Sequence, residues 1–511
     1  MSRTRSAFIG ALSSQFFTIC AILLNFVTTP FILHHLSSSI YGLSIIIFQI
    51  TSYLGMFDFG LTAGVERFLA GTRGDSPESR QKIQQIISTS FIVYLILGLL
   101  VVLVGCMFAP FAAEAFDVPG GMSHDVRSII VYLSVLVGMQ FLLRAVSGIF
   151  FAHQKQLLSN SLSFILNISN VAFTVYFVYL GYELWSFVYA QILVFIFNAI
   201  LNFVLFKKHY GYIKIRIADF NYPLLKEMFA YGFYLFIIGI AVQIVFQTDR
   251  VLIGSIVSLS AVSIYALTSK LPELASQFIW KITDNSFPAM VELSKGQEKD
   301  HFRLVHDKLM KLTLSLTTTA FWFIALVTLP FLSLWVGTKY FAGQPFVFLI
   351  CYLYLIQLTF IHVSAMCLNG AGIAKQLSLM SVVEAALNLG ISIILAKQLG
   401  LIGVLLGTVI SGVLTSFWYV PYLTVRYMNI NFGAYLKVTL GPILFCSTID
   451  GLIYLIFHYF NLGPSKLTWL SFSLTYTAVF LVMLVPLMFY NRAILKDLLT
   501  KMIKKPNSIT P

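Results

Sequence analysis

An all-α polytopic membrane protein is the fold class this sequence predicts, from three observations: long uninterrupted apolar runs, a lopsided placement of Lys and Arg, and an internal repeat. Of 511 residues, 58% are hydrophobic and 10% charged, which leaves too few polar side chains to cover a soluble domain. A helix crossing the bilayer needs about 20 mostly apolar residues. Fourteen such stretches can be marked, at 7–33, 39–66, 83–112, 126–151, 157–180, 184–206, 223–254, 258–290, 310–336, 344–370, 376–397, 400–425, 434–459 and 467–490. Their continuity excludes a transmembrane β-barrel, whose strands alternate in short segments.

The N-terminal "MSRTRSAFIGALSSQFF" has the basic start of a secretory signal. Its apolar run is too long, and it lacks a small-residue cleavage site, so it reads as the first span, retained. With the N-terminus in the cytoplasm and the spans alternating, cytoplasmic segments hold 24 of the 33 Lys and Arg. The opposite side holds four, Arg127, Lys339, Lys397 and Lys466. This positive-inside bias predicts that both termini are cytoplasmic. It also accounts for the net charge of +13 by topology, so nucleic acid is not an expected partner. The tail "KMIKKPNSIT" is expected to rest near anionic headgroups of the membrane lipids. Cys20, Cys106, Cys351, Cys367 and Cys446 lie in apolar segments without metal-ligand spacing and read as packing residues. No cofactor is expected.

The repeat rests on short matches in constant order. "SIYG" at 39–42 recurs as "SIYA" at 263–266, "KQL" at 155–157 recurs at 375–377, and Leu180-Gly181 recurs as Leu399-Gly400. Six spans separate the partners, so both copies enter the membrane with the same orientation. The expected architecture is two parallel six-helix repeats around a central cavity, with two extra C-terminal helices. Accordingly, 1–206 is expected as the N-lobe, 207–226 as a cytoplasmic linker, 227–430 as the C-lobe, 431–492 as spans thirteen and fourteen, and 493–511 as a basic cytoplasmic tail.

Charges inside spans are costly, about 2.5–3.5 kcal/mol each at the bilayer centre, and so should face protein or water. At about 100° per residue, Lys270, Glu273, Gln277, Lys281 and Asp284 fall within one arc of about 80° on the eighth span. A salt-bridged seam is the plainer alternative, since Lys270–Glu273 and Lys281–Asp284 are i,i+3 pairs. On the second span Ser44, Thr51, Asp58, Thr62 and Glu66 share a similar arc. An offset of 226 carries Ser44, Thr51, Asp58 and Glu66 onto Lys270, Gln277, Asp284 and Glu292, so the two stripes are expected to face one cavity. Arg67 points away from its stripe and reads as a snorkelling anchor. Arg144, with Gln140 nearby, is a cavity residue or a buried partner; Asp249 and Arg250 form an outer gate or anchor to headgroups. His362 and Glu384 carry protons or serve as interhelical glue. Asp58, Glu66, Asp249, Glu273, Asp284 and Glu384 are the candidates for ion coupling or gating.

Two lobes around a lysine-bearing polar groove suit the movement of an amphipathic anion, because phosphate oxygens need cationic partners. There is no GxxxxGK[ST] phosphate loop and no HExxH motif in the sequence, so neither a built-in ATPase nor a zinc hydrolase is expected.

"YGLSIIIFQITSYLGMFDFGLTAGVERFLA", 41–70, resembles the second-helix pattern of bacterial lipid-linked oligosaccharide flippases. "TDRVLIGSIVSLSAVSIYALTSKLPEL", 248–274, resembles their seventh-to-eighth helix junction, with Asp249, Arg250, Gly254, Tyr265 and Ala266 in place. The resemblance covers most of the chain in helix count and repeat order. It implies membership of the multidrug, oligosaccharidyl-lipid and polysaccharide (MOP) exporter superfamily. It further implies flipping of an undecaprenyl-pyrophosphate-linked oligosaccharide from the cytoplasmic to the outer leaflet of the bacterial inner membrane, during surface polysaccharide synthesis. On that resemblance Lys270 and Lys281, then Arg144 and Arg250, hold the pyrophosphate or acidic sugars, with Gln277, Ser44 and Thr51 as further substrate contacts. A polysaccharide polymerase and chain-length machinery are the implied protein partners. The peptidoglycan-precursor branch resembles this chain in span number but typically carries an arginine in the first helix, which is lacking here. A cation-coupled multidrug exporter of the same superfamily, a membrane-embedded glycan polymerase or ligase, and a scaffold remain as alternatives. The polymerase is disfavoured because the longest outer loop, "EAFDVPGGMSHD", is only about a dozen residues.

Overall fold

Helix starts in this chain fall where a short polar side chain can accept from backbone N–H groups that the first turn leaves unsatisfied. In the computed structural model, which describes residues 3–72, 76–116, 118, 121–152, 156–295 and 299–503, Ser37 accepts from Ile40 N at 3.2 Å. Ser76 does the same for Ser79 N, with Pro77 in the first turn, and Asn221 for Leu224 N. Arg73, Lys155 and everything from Lys504 onward lie outside the described residues. Among the described residues there is no β-strand. The chain divides into two compact units, Met1–Ser263 and Ile264–Pro511.

The first unit contains α1 (Arg3–His35), α2 (Ser38–Gly55), α3 (Leu61–Gly71), α4 (Pro77–Ala115), α5 (Ser123–Ala152), α6 (Gln156–Tyr179), α7 (Trp185–Tyr210) and α8 (Tyr222–Ile256). Helices α4 and α5 pack along small residues. A Cβ on Gly98 would come within 2.6 Å of the Gly138 carbonyl, and one on Gly105 would collide with Ser134. Such stripes let backbones approach where apolar lipid offers no hydrophobic drive. Leu61, Val65, Ile83, Ile86, Tyr94, Phe141, Ile149 and Met228 form the core between α3, α4, α5 and α8. The opposite face of α4 leaves Ile96, Leu99, Leu103, Met107 and Phe111 exposed, an apolar surface suited to acyl chains.

The segment expected as an interlobe linker is fastened inside this unit. The backbone N–H groups of Arg216 and Asn221 donate to Ser88 Oγ at 3.1 Å and Thr89 Oγ1 at 3.0 Å. Gln84 donates to Asp219 and accepts from Lys214 N. Two successive turns of α4 thus supply polar groups that strap 214–221 down, and α8 packs back onto α2, α3 and α4. The division between units therefore falls later, within α9 (Leu259–Thr268).

The second unit continues with α10 (Lys270–Asp284), α11 (Phe287–Lys295), α12 (Lys299–Trp335), α13 (Gln344–Cys351), a π-helical stretch Tyr352–Gln357, and α14 (Leu358–Gly370). After it come α15 (Ala374–Leu414), α16 (Ser416–Met428), α17 (Phe432–Tyr459), α18 (Trp469–Tyr490) and the amphipathic α19 (Arg492–Ile503). Straight, α15 would run about 60 Å, twice the hydrocarbon thickness. It turns back at Gly400, whose φ of 59° and ψ of −133° only glycine adopts readily. Asn388 Nδ2 donates to Thr408 Oγ1 at 2.9 Å and Ser392 Oγ to the Val404 carbonyl at 3.2 Å, which zips the two arms antiparallel.

Among the described residues eleven helices qualify as spans by length and apolarity, or twelve if the bent α8 counts as one, against the fourteen expected. Two features explain the difference. The expected spans 376–397 and 400–425 merge into one apolar stretch, Ala374–Met428. The expected span 258–290 is broken into α9, α10 and α11, and the polar face of α10 lowers its hydropathy.

Candidate functional site

The first polar centre forms where the second span breaks. Phe59 (φ 49°) and Gly60 (φ 79°) take left-handed conformations between α2 and α3. A Cβ on Gly60 would collide with the Gly232 carbonyl of α8, so the break is also a close backbone crossing. Asp58 sits in this break. Its Oδ1 accepts from Gly60 N at 3.0 Å, and its Oδ2 accepts from Thr62 Oγ1 at 2.6 Å and from Arg144 Nη1 at 3.2 Å. Because the Thr62 hydroxyl gives its proton to Asp58, Tyr94, 2.9 Å away, must donate to Thr62. The Arg144 guanidinium also lies 4.5 Å over the Phe141 ring. The structure thus brings Asp58, Thr62 and Arg144 together, with Arg144 as the ionic partner of Asp58. Glu66, half-buried on α3, lies against Gly148 of α5.

Other expected residues of this unit sit differently. Ser44 is 3% exposed, and its hydroxyl donates to the Tyr41 carbonyl at 2.7 Å, because α2 is enclosed on the sides that carry Leu43, Ile46 and Ile47. Thr51 donates to the Ile47 carbonyl. Asp249 is buried, and Arg250 donates to Gln247 at 3.2 Å. Both adjoin the contact of α2 with α8, where the Tyr53 and Thr248 hydroxyls meet at 3.0 Å. Arg67 stacks over the Tyr231 ring at 4.0 Å.

The second polar centre is α10. Lys270 is half-exposed and Gln277 exposed, and neither finds a hydrogen-bonding partner among the described residues. Lys281 Nζ lies 5.7 Å from the centre of the Phe278 ring. Glu273 is buried and accepts from Tyr354 Oη at 3.3 Å. At the C-terminal end of the helix, Asp284 accepts from His362 Nε2 of α14 at 2.8 Å. The His362 ring stacks on Trp280, centroids 4.7 Å apart and planes 15° from parallel. Trp280 is fixed in turn by its indole N–H donating to Thr359 at 2.8 Å. Apart from this face, Glu384 is buried between the arms of α15 and α16, accepting from Ser416 Oγ.

Three buried polar groups were missed from sequence. Asp450 of α17, fully buried, accepts from Thr319 Oγ1 of α12 at 2.8 Å. His306 of α12, also fully buried, contacts Ser364 at 3.2 Å and Asp307 at 3.2 Å. Tyr94 completes the Asp58 cluster. The cost of a charge within an apolar run, which singled out Asp58, applies equally to Asp450 in "STIDGLIY". Among the described residues no group of His, Cys, Asp and Glu has the arrangement of a metal centre. The ammonium of Lys270 and the amide of Gln277, without hydrogen-bonding partners among the described residues, are instead suited to phosphate and sugar oxygens.

Comparison with known proteins agrees with this architecture. A family described as "Polysaccharide biosynthesis protein" matches residues 10–294. The uncharacterized membrane protein EpsK of Bacillus subtilis (strain 168) is 23% identical over 430 residues, covering 83% of this chain and 84% of the relative. Among solved structures, the lipid II flippase MurJ in an inward closed conformation is similar at a TM-score of 0.66 and 16% identity, over 96% of this chain and 100% of that one. An inward-facing multidrug resistance MATE family transporter of the MOP superfamily follows at a TM-score of 0.65 and 14% identity, over 80% and 96%. At such identities the structural likeness is one of fold.

Proposed function

Because this chain belongs to the polysaccharide biosynthesis protein family, and with it to the membrane transporters of the MOP superfamily, we propose that it flips an undecaprenyl-pyrophosphate-linked oligosaccharide from the cytoplasmic to the outer leaflet of a bacterial inner membrane. The observation that carries this reading is the polar face of α10, where Lys270 has no partner among the described residues and Gln277 and Lys281 follow along the helix. An unneutralised ammonium group such as that of Lys270, inside a chain that is 58% hydrophobic, is expensive unless a bound anion or water meets it. A pyrophosphate supplies that anion, and the amide of Gln277 suits a glycan hydroxyl. Arg144 contributes through Asp58, whose charge it neutralises, and Arg250, Ser44 and Thr51 act by holding the helices of the first unit in place.

In this reading both termini are cytoplasmic, transport runs by alternating access, and a polymerase with its chain-length machinery takes up the flipped product. Asp58, Glu66, Asp249, Glu273, Asp284 and Glu384 are the groups available to couple an ion gradient. Deleting the gene is expected to deplete surface glycan and accumulate the lipid-linked unit. Wild type should restore it, and Lys270→Ala or Lys281→Ala should not. Full rescue by both variants would reject the assigned site. A multidrug exporter is the second reading, favoured by the shared fold with a MATE transporter. Drug resistance conferred on a sensitive host, without any change in surface glycan, would select it.

A further inference from the structure

The two units carry corresponding carboxylate–base pairs that differ in one respect. Asp58 lies in the break between α2 and α3, and Asp284 ends α10 just before the break to α11. The offset of 226 that aligns the stripes carries one aspartate onto the other. Their partners correspond as well. Arg144 comes from α5, the fourth expected span, and His362 from α14, the tenth. They are 218 residues apart, close to the 220 of the "KQL" match. Each base meets its carboxylate directly, at 3.2 Å and 2.8 Å. The difference is chemical: a guanidinium holds its charge at every physiological pH, whereas an imidazole does not.

The tautomer of His362 follows from its contacts. Asp284 as a carboxylate only accepts, so His362 Nε2 must carry the hydrogen that lies between them. The lone pair of a neutral ring is then on Nδ1, which has no hydrogen-bonding partner among the described residues. A proton arriving from water would form one N–H bond there and break none in the protein. The resulting imidazolium would be held by Asp284 and by the π-face of Trp280. Neither side chain is enclosed by protein, with side-chain exposures of 29% for His362 and 52% for Asp284. The other charged groups of α10 and α11 are Lys270, Glu273, Lys281, Asp284, Glu292 and Lys295. Several other ionisable groups on the packed elements are engaged elsewhere: His306 with Ser364 and Asp307, Lys308 with Asp497, Glu273 with Tyr354, Glu384 with Ser416, and Arg426 beside Tyr422, whereas Lys270 at the far end of α10 has no hydrogen-bonding partner among the described residues.

We infer that His362 Nδ1, backed by Asp284 and Trp280, is a proton-binding site in the second unit, the titratable counterpart of the permanently charged Asp58–Arg144 pair. Its use in driving transport rests on the flipping function proposed above; its chemistry does not. Protonation is readable without substrate, because an imidazolium stacked on an indole quenches its fluorescence. Full-length protein in lipid nanodiscs should show an emission step between about pH 5 and 8. Trp280 is one of six tryptophans, so the step is at most about one sixth of the total. His362→Gln, His362→Arg and Trp280→Phe should each abolish it. A wild type without a step, or a step that survives in either His362 variant, overturns the inference. In proteoliposomes His362→Arg should flatten the pH dependence of flipping, and an unchanged profile also counts against it. A step that persists in a non-flipping Lys270→Ala variant leaves the site standing, whereas a flipping wild type without a step removes this inference alone.

Discussion

Removing Arg144 tests whether the helix break at Asp58 is held by charge. In Arg144→Met the carboxylate keeps two donors, Gly60 N at 3.0 Å and Thr62 Oγ1 at 2.6 Å, but loses its cation at 3.2 Å. Orphaning a fully buried ion costs about 3–5 kcal/mol, and a charge-assisted hydrogen bond alone about 1.5–3 kcal/mol. Side-chain exposures of 14% for Asp58 and 30% for Arg144 admit some water and weaken the pair toward the lower range. The expected loss is therefore about 2–3 kcal/mol. In Asp58→Asn the neutral amide no longer needs the cation, so the double variant should be less destabilised than the two single losses added. The assay is SDS-induced unfolding in mixed micelles across the double-mutant cycle. A coupling energy of about 1.5 kcal/mol or more is predicted; one below about 0.5 kcal/mol would show a water-screened contact and refute the reasoning.

Three further outcomes are expected. Gly232→Val should push α8 away from the Gly60 break and cost about 1–3 kcal/mol or more, seen as a lower unfolding midpoint, while Gly239→Ala, with only Met56 nearby among the described residues, should be far milder. Gly400→Ala forces an alanine into a conformation that only glycine adopts readily, at about 1–3 kcal/mol, and should lower the folded yield of the α15 hairpin, measured by size-exclusion profile. The pair Ser88→Ala and Thr89→Val leaves the Arg216 and Asn221 N–H groups without their acceptors. Limited trypsin digestion should then cut after Lys214 or Arg216 several-fold faster, and unchanged cleavage would show that the strap is held by something else.

Sequence periodicity gave the helices and the polar face of α10, because a 3.6-residue repeat reports direction around a helix axis. It could not report what lies opposite. Ser44 shares an arc with Asp58, yet it is enclosed and bonded to its own backbone, while Asp58 is reached by Arg144 from 86 residues away. The breaks were equally hidden: Gly55 and Gly60 flank the first, but the second at Asn285–Ser286 contains no glycine or proline. Span count suffered for a related reason. A single glycine at 400 separates two crossings that are apolar throughout, and the eighth segment is too polar to register by hydropathy. The strapping of 214–221 depends on Gln84, Ser88 and Thr89, side chains more than 120 residues upstream that resemble any polar end of a membrane helix.

Direct observation of flipping decides the central claim. Purified protein is reconstituted into liposomes with a lipid-pyrophosphate-linked oligosaccharide, and the glycan in one leaflet is followed by its accessibility to an added, impermeant glycosidase. Wild type is predicted to expose the protected pool, and Lys270→Ala and Lys281→Ala to slow this by about tenfold or more, the loss of one charge-assisted contact. Exposure no faster than in protein-free liposomes, or rates indifferent to both lysines, would contradict the account.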